Sequence, residues 1–329
     1  MSQRIYVTGA AGMIGSNIVF DLLSEGYYVI GVDDLSRATP SDINAMKSNS
    51  KFEFRQADIA LNEYWATDVN QESIVIHTAD IVGGIGYVFD NEWAIFQKNI
   101  LINTQIARII FTRKPRHLIY LGTACSYPQG MQKSVNSSIL SEKDKFPADP
   151  ESGYGWSKLI GDIEFHLATK NNSTKLTVLD LHNVYGWPCV YNDATAQVIP
   201  SLINRAMKSD DGILKIWGDG NQGRGFIHVS DVISAVRLSL RYTGRYDNFM
   251  IGPDTCTTIS QIAQIICRHP GLNIKKLEYD TTKPVGDIGR FADTDRAKNE
   301  LGWSTKIDLE FGLSCLIDKI LDHENLKRK

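Results

Sequence analysis

The chain has 329 residues, 43% of them hydrophobic and 22% charged, with a formal net charge of -3. That is enough apolar sequence for one large or two moderate globular cores, and it leaves no bulk basic field to hold a nucleic acid by its phosphates. The five cysteines, Cys125, Cys189, Cys256, Cys267 and Cys315, form no CxxC pair and no leader-like or bilayer-length apolar segment stands out, so a disulfide framework, a metal site and a membrane anchor are disfavoured and a cytoplasmic setting is expected.

The first strand is expected at "RIYVTG", and "VTGAAGMIG" then sets Gly9, Gly12 and Gly15 between it and a helix-spaced run, "MIGSNIVFDLLSEG". A tight turn needs the first glycine, approach of a pyrophosphate the second and helix-on-strand packing the third, with the helix N-terminus facing the phosphates. The next run, "YVIGVDD", ends on Asp33, whose carboxylate is placed to accept from adenosine ribose hydroxyls and to repel a 2'-phosphate. That favours NAD over NADP as cofactor, while Arg37, four residues on, leaves a 2'-phosphate within reach.

Four more apolar runs follow, "FEFRQAD", "SIVIHTAD", "HLIYLGT" and "LTVLDLHN", with the helical "FQKNILINTQIARIIFTRK" among them. Strands that alternate with helices and are apolar on both faces predict an α/β fold with a parallel sheet between helical layers. His77 closes the fourth run and reads as structural. Thr123 closes the fifth, and Cys125, two residues on in an extended strand, shares its side. In "YGWSK", Tyr154 and Lys158 stand at i and i+4 on one helix face. A phenol ordinarily titrates near pH ~10, but a neighbouring ammonium and a cationic nicotinamide both favour phenolate. Tyr154, Lys158 and the Thr123 hydroxyl therefore read as a group that deprotonates an alcohol while hydride leaves its carbon.

Beyond Asn183 the rhythm loosens into "YGWPCVYND", "KIWGDGNQGRG" and "IGPDTCTT", turn-rich stretches that predict a smaller α/β region. The crevice between the two regions is the expected ligand site. Cys267 and Cys315 fall on helical apolar faces as core residues, and Cys189 stands in a loop near that crevice.

On "VTGAAGMIGS", "QADI", "GTACSYP", "YGWSK", "HNVYG", "WGDGNQGRGFIHVSD" and "ELGW", in that order, the chain resembles the extended short-chain dehydrogenase/reductase family of NAD-dependent epimerases and dehydratases over nearly its whole length. The resemblance implies a Rossmann domain at residues 1–182 with a return segment at about 225–250, and a discontinuous sugar-nucleotide domain within 183–329. It implies further cofactor contacts from Met13, Ile14, Asp58, Ile59, Ala79 and Asn99. Contacts to a nucleotide-diphosphate sugar are implied for Gly83, Gly84, Asn183, Gln197, Arg224 and Arg290, and a base contact is weighed for Lys215 and Trp217. A homodimer packed through the helices around 93–112 and 153–170 is implied as well.

"ADIVGGIGY" and "TACSYP" are similar to the GDP-mannose 3,5-epimerase and GDP-fucose synthase branches, in which the cysteine is an acid/base at C3 or C5 of a 4-keto sugar. Those branches draw a second acid/base, a lysine or histidine, from the place where this chain has Gln197, and an amide shuttles no proton near neutral pH. The function implied is epimerisation of a GDP-hexose or GDP-heptose at C3 and/or C5 on recycled NAD, with bound water or His182 open as the other proton carrier. C4 epimerisation, 4-reduction or dehydration with Cys125 as packing, and a non-catalytic NAD(H)-binding scaffold, stay open beside it.

Overall fold

The computed structural model describes residues 3–38, 43–133, 139–283, 285 and 288–327. The six apolar runs form β1 (Arg4–Thr8), β2 (Tyr28–Asp33), β3 (Phe52–Gln56), β4 (Ile74–His77), β5 (His117–Thr123) and β6 (Lys175–Leu181). Between them lie α1 (Met13–Ser24), α2 (Asn44–Lys47), α3 (Ile85–Asp90), α4 (Glu92–Arg113) and α5 (Gly153–Thr169). Every residue of β4 and β5 is buried, as strands covered on both faces must be. Local chemistry sets the helix ends: Ser152 caps α5 by accepting from the Gly155 amide, and α4 stops where Lys114 turns left-handed.

The rest of the chain forms β7 (Asn183–Tyr185), α6 (Val198–Met207), β8 (Ile213–Trp217), β9 (Gly223–Arg224), β10 (Phe226–His228), α7 (Val229–Arg241) and β11 (Tyr246–Ile251). It ends with β12 (Thr257–Thr258), α8 (Ile259–Arg268), β13 (Lys276–Asp280), β14 (Gly289–Arg290) and α9 (Leu309–Lys327). Seven parallel strands make the main sheet in the order β11-β6-β5-β4-β1-β2-β3. This is the doubly wound Rossmann arrangement, and the strand order reverses between β4 and β1, which opens a crevice at their carboxyl ends. Ile18, Val19, Val232 and Val236, from α1 and α7, pack on one face of the sheet; Ile102, Ile106 and Phe165, from α4 and α5, pack on the other. A separate core around Leu202, Ile216, Ile262 and Ile317 joins α6, α8 and α9 to β8.

The chain returns to the core of the main sheet twice. The first return is α7 and β11. The second, which the sequence pattern does not point to, is a π-helical turn at Ala297–Leu301 followed by Trp303, buried in the same core as α1 and α7. Gly302 takes φ 71° and so lets the chain reverse there. The Trp303 indole then donates to the Asp231 carbonyl at 2.9 Å, and the Asp231 carboxylate accepts from the Lys306 and Ile307 amides at 3.1 Å.

Candidate active site

Of the cofactor, substrate and catalytic residues expected from the sequence, all but Asn99 and Lys158 line one cleft of about 820 Å³. The glycine loop is its floor. Gly9 has φ 68°, and a Cβ there would stand 2.9 Å from the backbone of Ala79, while a Cβ on Gly15 would strike the Gly9 carbonyl. Gly12 begins α1 with no side-chain cap and no acidic residue in the first turn, so the leading amides are left for an anion. Asp33 accepts from the Ala11 amide at 3.0 Å and the Leu35 amide at 2.8 Å, which fixes its carboxylate at the end of β2; burial raises its pKa. Asp58 pairs with Lys98 at 2.6 Å. Asn99, buried on α4, accepts from the Ile81 amide at 2.7 Å and donates to the Ile81 carbonyl at 3.0 Å. It thereby shapes the loop after β4.

The end of β5 departs from the expectation of a continued strand. Ala124–Ser126 form a 3-10 turn, and the Thr123 hydroxyl accepts from the Cys125 amide at 3.2 Å. Cys125 therefore reaches the cleft through a turn, not by strand alternation, and packs with Tyr154, Ile81 and Val82. Tyr154 and Lys158 do share a face of α5, but a carboxylate joins them. Asp80 Oδ2 accepts from Tyr154 Oη at 3.2 Å and lies 3.3 Å from Lys158 Nζ. Burial raises the Tyr154 phenol well above its ordinary pKa, and Asp80 and Cys125 push the same way. Lys158, 3% exposed, sits behind the cleft surface with its ammonium 4.5 Å from the centre of the Tyr120 ring. His77 is held in the core by Thr8 at 2.8 Å and Asn103 at 3.1 Å; burial pushes its pKa down to about 3.

Across the cleft, β9 and β14 pair with Arg224 opposite Arg290. In-register neighbours point to one side of a sheet, so two buried guanidinium groups stand together, a pairing suited to a diphosphate. Asn183 on β7 and Gln197 at the start of α6 share the cleft with them. Trp217 lines it too, flanked by Arg205 and Lys283, whose cations lie 5.8 and 5.9 Å from its ring centre, whereas Lys215 is exposed on β8. Burial pushes the Cys189 thiol up to about 12, which keeps it protonated. His182 is buried in the wall with neither ring nitrogen hydrogen-bonded among the described residues; burial and then Arg290 push its pKa down to about 3.

A seam between the loop after β4 and residues 193–197 forms part of the cleft wall. The Gly84 amide donates to the Thr195 carbonyl at 3.1 Å, and a Cβ on Gly84 would strike the Ala196 carbonyl. Arg37 straps this seam, donating to the Val82 carbonyl at 2.5 Å and to the Thr195 hydroxyl at 3.5 Å. Among the described residues no cluster of three or more His, Cys, Asp or Glu is placed to hold a metal, and no helix is long and apolar enough to cross a membrane.

The family model described as the NAD dependent epimerase/dehydratase family matches residues 5–252. The chain belongs to that family. It is 28% identical over 312 residues to GDP-mannose 3,5-epimerase 1 of Oryza sativa subsp. indica, covering 94% of this chain and 79% of that one. It is also 28% identical to a putative UDP-glucose 4-epimerase of Methanocaldococcus jannaschii, covering 95% of this chain and 97% of the other. Among solved structures, UDP-glucuronic acid 4-epimerase from Bacillus cereus, in complex with UDP-glucuronic acid and NAD, superimposes with a TM-score of 0.81 at 26% identity, covering 97% of this chain and 99% of that one.

The family's cofactor suits the residues present: a floor that admits no Cβ, the uncapped start of α1 and a fixed carboxylate at Asp33 together form a seat for a dinucleotide. Three features escape the sequence reading, namely Asp80, the Arg37 strap and the unpartnered His182 ring. Asp80 carried a signal, since it follows β4 at the same sheet edge as Asp33 and Thr123.

Proposed function

We propose that the protein is an NAD-dependent epimerase of a GDP-hexose or GDP-heptose that passes through a 4-keto sugar and exchanges the proton on C3 and/or C5. The observation that carries this reading is the Cys125 thiol on the cleft wall beside Thr123 and Tyr154. Oxidation at C4 makes the neighbouring C–H protons acidic, because the resulting carbanion is delocalised into the carbonyl; a cysteine thiolate can then withdraw one, and the thiol so formed can return a proton to that carbon. Bound NAD supplies the acceptor for the C4 hydrogen and its electron pair. Thr123 and Tyr154 hold the reacting hydroxyl, with Lys158 behind them. The glycine loop with Met13, Ile14, Asp33, Asp58, Ile59 and Ala79 forms the cofactor side. Arg224 and Arg290 take the diphosphate; Gly83, Gly84, Asn183 and Gln197 bound the sugar. In this assignment residues 1–182 with 225–250 serve the cofactor, and the remainder of 183–329 serves the sugar nucleotide.

NAD over NADP is supported by the fixed Asp33 carboxylate and by an Arg37 guanidinium turned toward Val82 and Thr195. A GDP-sugar is supported by the GDP-mannose 3,5-epimerase relative and by Cys125; the UDP-linked relatives favour the second reading, C4 epimerisation of a UDP-sugar with Cys125 as packing. Cys125 is the first proton carrier assigned; Gln197 carries no titratable proton, and bound water or His182, whose pKa burial lowers, stays open as the other. Exposed Trp93, Leu101, Trp156, Ile163 and Leu167 on α4 and α5 support a homodimer through those helices. Five cysteines outside any disulfide support a cytoplasmic location.

The test is incubation with GDP-mannose, a GDP-heptose and UDP-glucose in heavy water. Deuterium is expected at C3 or C5 of a GDP-sugar, and Cys125→Ser is expected to abolish it while bound NAD is still reduced. A change at C4 alone, without deuterium at C3 or C5, selects the second reading.

A further inference from the structure

The turn that carries Cys125 is fixed at its near end by the main sheet and at its far end by a segment that also holds the opposite wall of the cleft. Thr123 stands in register with Leu181 in the β5–β6 pair, and the Ser126 hydroxyl donates to the Gly155 carbonyl at 3.4 Å. Tyr127 follows, its hydroxyl bonded to Asp180 and its side chain in a small core with Leu140, Met250 and Ala292. A 3-10 turn at Gln129–Met131 then folds the chain back on itself. Gln132 consequently faces the carbonyls four and five residues upstream, and its Nε2 donates to those of Pro128 and Tyr127 at 3.2 Å each. Both amide hydrogens are thereby used. Through its own main-chain carbonyl the same residue accepts from the Ile288 amide at 3.0 Å and the Gly289 amide at 3.1 Å, at the start of β14. β14 is pinned in turn to β9, since the Gly223 amide donates to the Ile288 carbonyl at 2.7 Å and the Gly225 amide to the Arg290 carbonyl at 2.6 Å.

Gln132 is buried and lines the cleft. Its Oε1 has no partner among the described residues, and an unpaired buried amide oxygen costs stability that an apolar side chain of the same length would not. What the amide supplies, and an apolar side chain could not, is the pair of donations to the Cys125 side. We propose that Gln132 is a positioning residue that sets the distance between the Cys125 thiol and the Arg290 guanidinium. A sugar nucleotide anchored by its diphosphate then presents the carbon beside its new carbonyl to the thiol. The hydrogen bonds to Tyr127 and Pro128 and those to Ile288 and Gly289 converge on this one residue, which joins the two walls. Thr123, Tyr154 and Lys158 are held by β5 and α5 and do not depend on it. Gln132 therefore acts on proton exchange at carbon and leaves the hydride step alone. In that exchange the C–H bond breaks, its proton bonds to the Cys125 thiolate and its electron pair enters the carbonyl as an enolate; the thiol then returns the proton to carbon. Gln132 itself exchanges no proton. The inference rests on the function proposed above for the reaction, and on the four amide and carbonyl contacts for the geometry.

The experiment compares wild type with Gln132→Met, which keeps the length of the side chain and removes its donor, and Gln132→Asn, which keeps the amide but leaves it one methylene short of the two carbonyls. Each is loaded with NAD and given GDP-mannose, a GDP-heptose or UDP-glucose in heavy water. Deuterium incorporation at C3 or C5 is measured beside single-turnover reduction of the bound NAD. Alkylation of Cys125 by iodoacetamide, followed by mass spectrometry, reports on the thiol with no sugar present. Gln132→Met is expected to lose about tenfold to about a hundredfold in exchange, the cost of displacing a reacting group by about 1 Å. NAD reduction is expected to stay within about threefold of wild type, and Gln132→Asn to fall between the two. Cys125 in Gln132→Met is expected to be alkylated about threefold faster or more, because its turn is released. A merely structural role would lower both rates together, so a fall in NAD reduction equal to the fall in exchange overturns the proposal. Unchanged exchange, or loss of NAD binding in both variants, also overturns it. If wild type exchanges no carbon-bound proton of any of these sugars, the reaction proposed above is removed and the alkylation rates decide: faster labelling in both variants leaves the positioning of Cys125 by Gln132 standing, and equal labelling overturns it.

Discussion

Gly84 has no room for a side chain, because a Cβ there would meet the Ala196 carbonyl across the seam in the cleft wall. Gly84→Ala is expected to push the loop after β4 off residues 193–197, at a cost of about 1–3 kcal/mol for overpacking. Urea denaturation measures that cost, and calorimetric titration is expected to show weaker binding of the sugar nucleotide with NAD affinity little changed. An unchanged affinity for both would mean that the seam does not shape the sugar pocket. Residues such as Gly9, Asp33, Tyr154 and Lys158 are legible from type and spacing alone, since each is required by local geometry at a strand end or on a helix face. Asp80 is not, because its partners lie 74 and 78 positions away and only the folded β4–α5 contact reveals them. The same limit hides the bonds of Asn99 to Ile81: a buried amide on a helix looks alike in sequence whether or not it also holds the protein's own backbone.

A buried ionic knot ties several elements together behind the cleft. Lys145 Nζ lies 2.8 Å from Asp162 on α5 and 2.8 Å from Asp180 on β6, and the Tyr127 hydroxyl donates to Asp180 at 2.9 Å. Three residues before Lys145, Glu142 accepts from the Met250 amide of β11 at 2.8 Å. Burial opposes the Lys145 charge, but the two carboxylates together outweigh it and raise its pKa. Its contribution is therefore complete below the ordinary lysine value of about 10.4 and fades as pH rises beyond it. Lys145→Met leaves two buried carboxylates facing each other, and the expected loss is about 3–5 kcal/mol near neutral pH. One of them then gains a proton more readily in the folded state than in the unfolded one, so the deficit should shrink between about pH 7 and about pH 5. Denaturant midpoints at the two pH values check the sign, and a deficit that grows on acidification would refute it. Five of the six N-terminal strands are legible as apolar runs because nearly all of their residues are buried on both faces, whereas β3, at the edge of the sheet, has one buried residue and rests on a weaker pattern. β9, β12 and β14 span two residues apiece and carry no periodicity to read.

Across the whole molecule, Arg37 links the cofactor edge of the sheet to a segment of the smaller layer. Being an exposed contact it is worth little, roughly 0.2–1 kcal/mol, so Arg37→Gln is expected to speed release of bound NAD by no more than about fivefold. Chase of bound NAD with a fluorescent analogue measures this, and a release rate equal to wild type would show that the strap plays no part in retention. Two-layer organisation is legible from the turn-rich second half, but the re-entry of Trp303 into the first core is not, because "ELGW" reads equally well as a helix end on the surface. That interleaving has a consequence for how the protein is made. On the ribosome, β6 emerges well before its outer neighbour β11, and the core that Trp303 completes must wait longer still. At ordinary translation speeds the gap between Leu181 and Ile251 lasts on the order of several seconds. For that interval the nascent sheet has an unpaired apolar edge, which makes this stretch of synthesis the natural point of engagement for a holding chaperone.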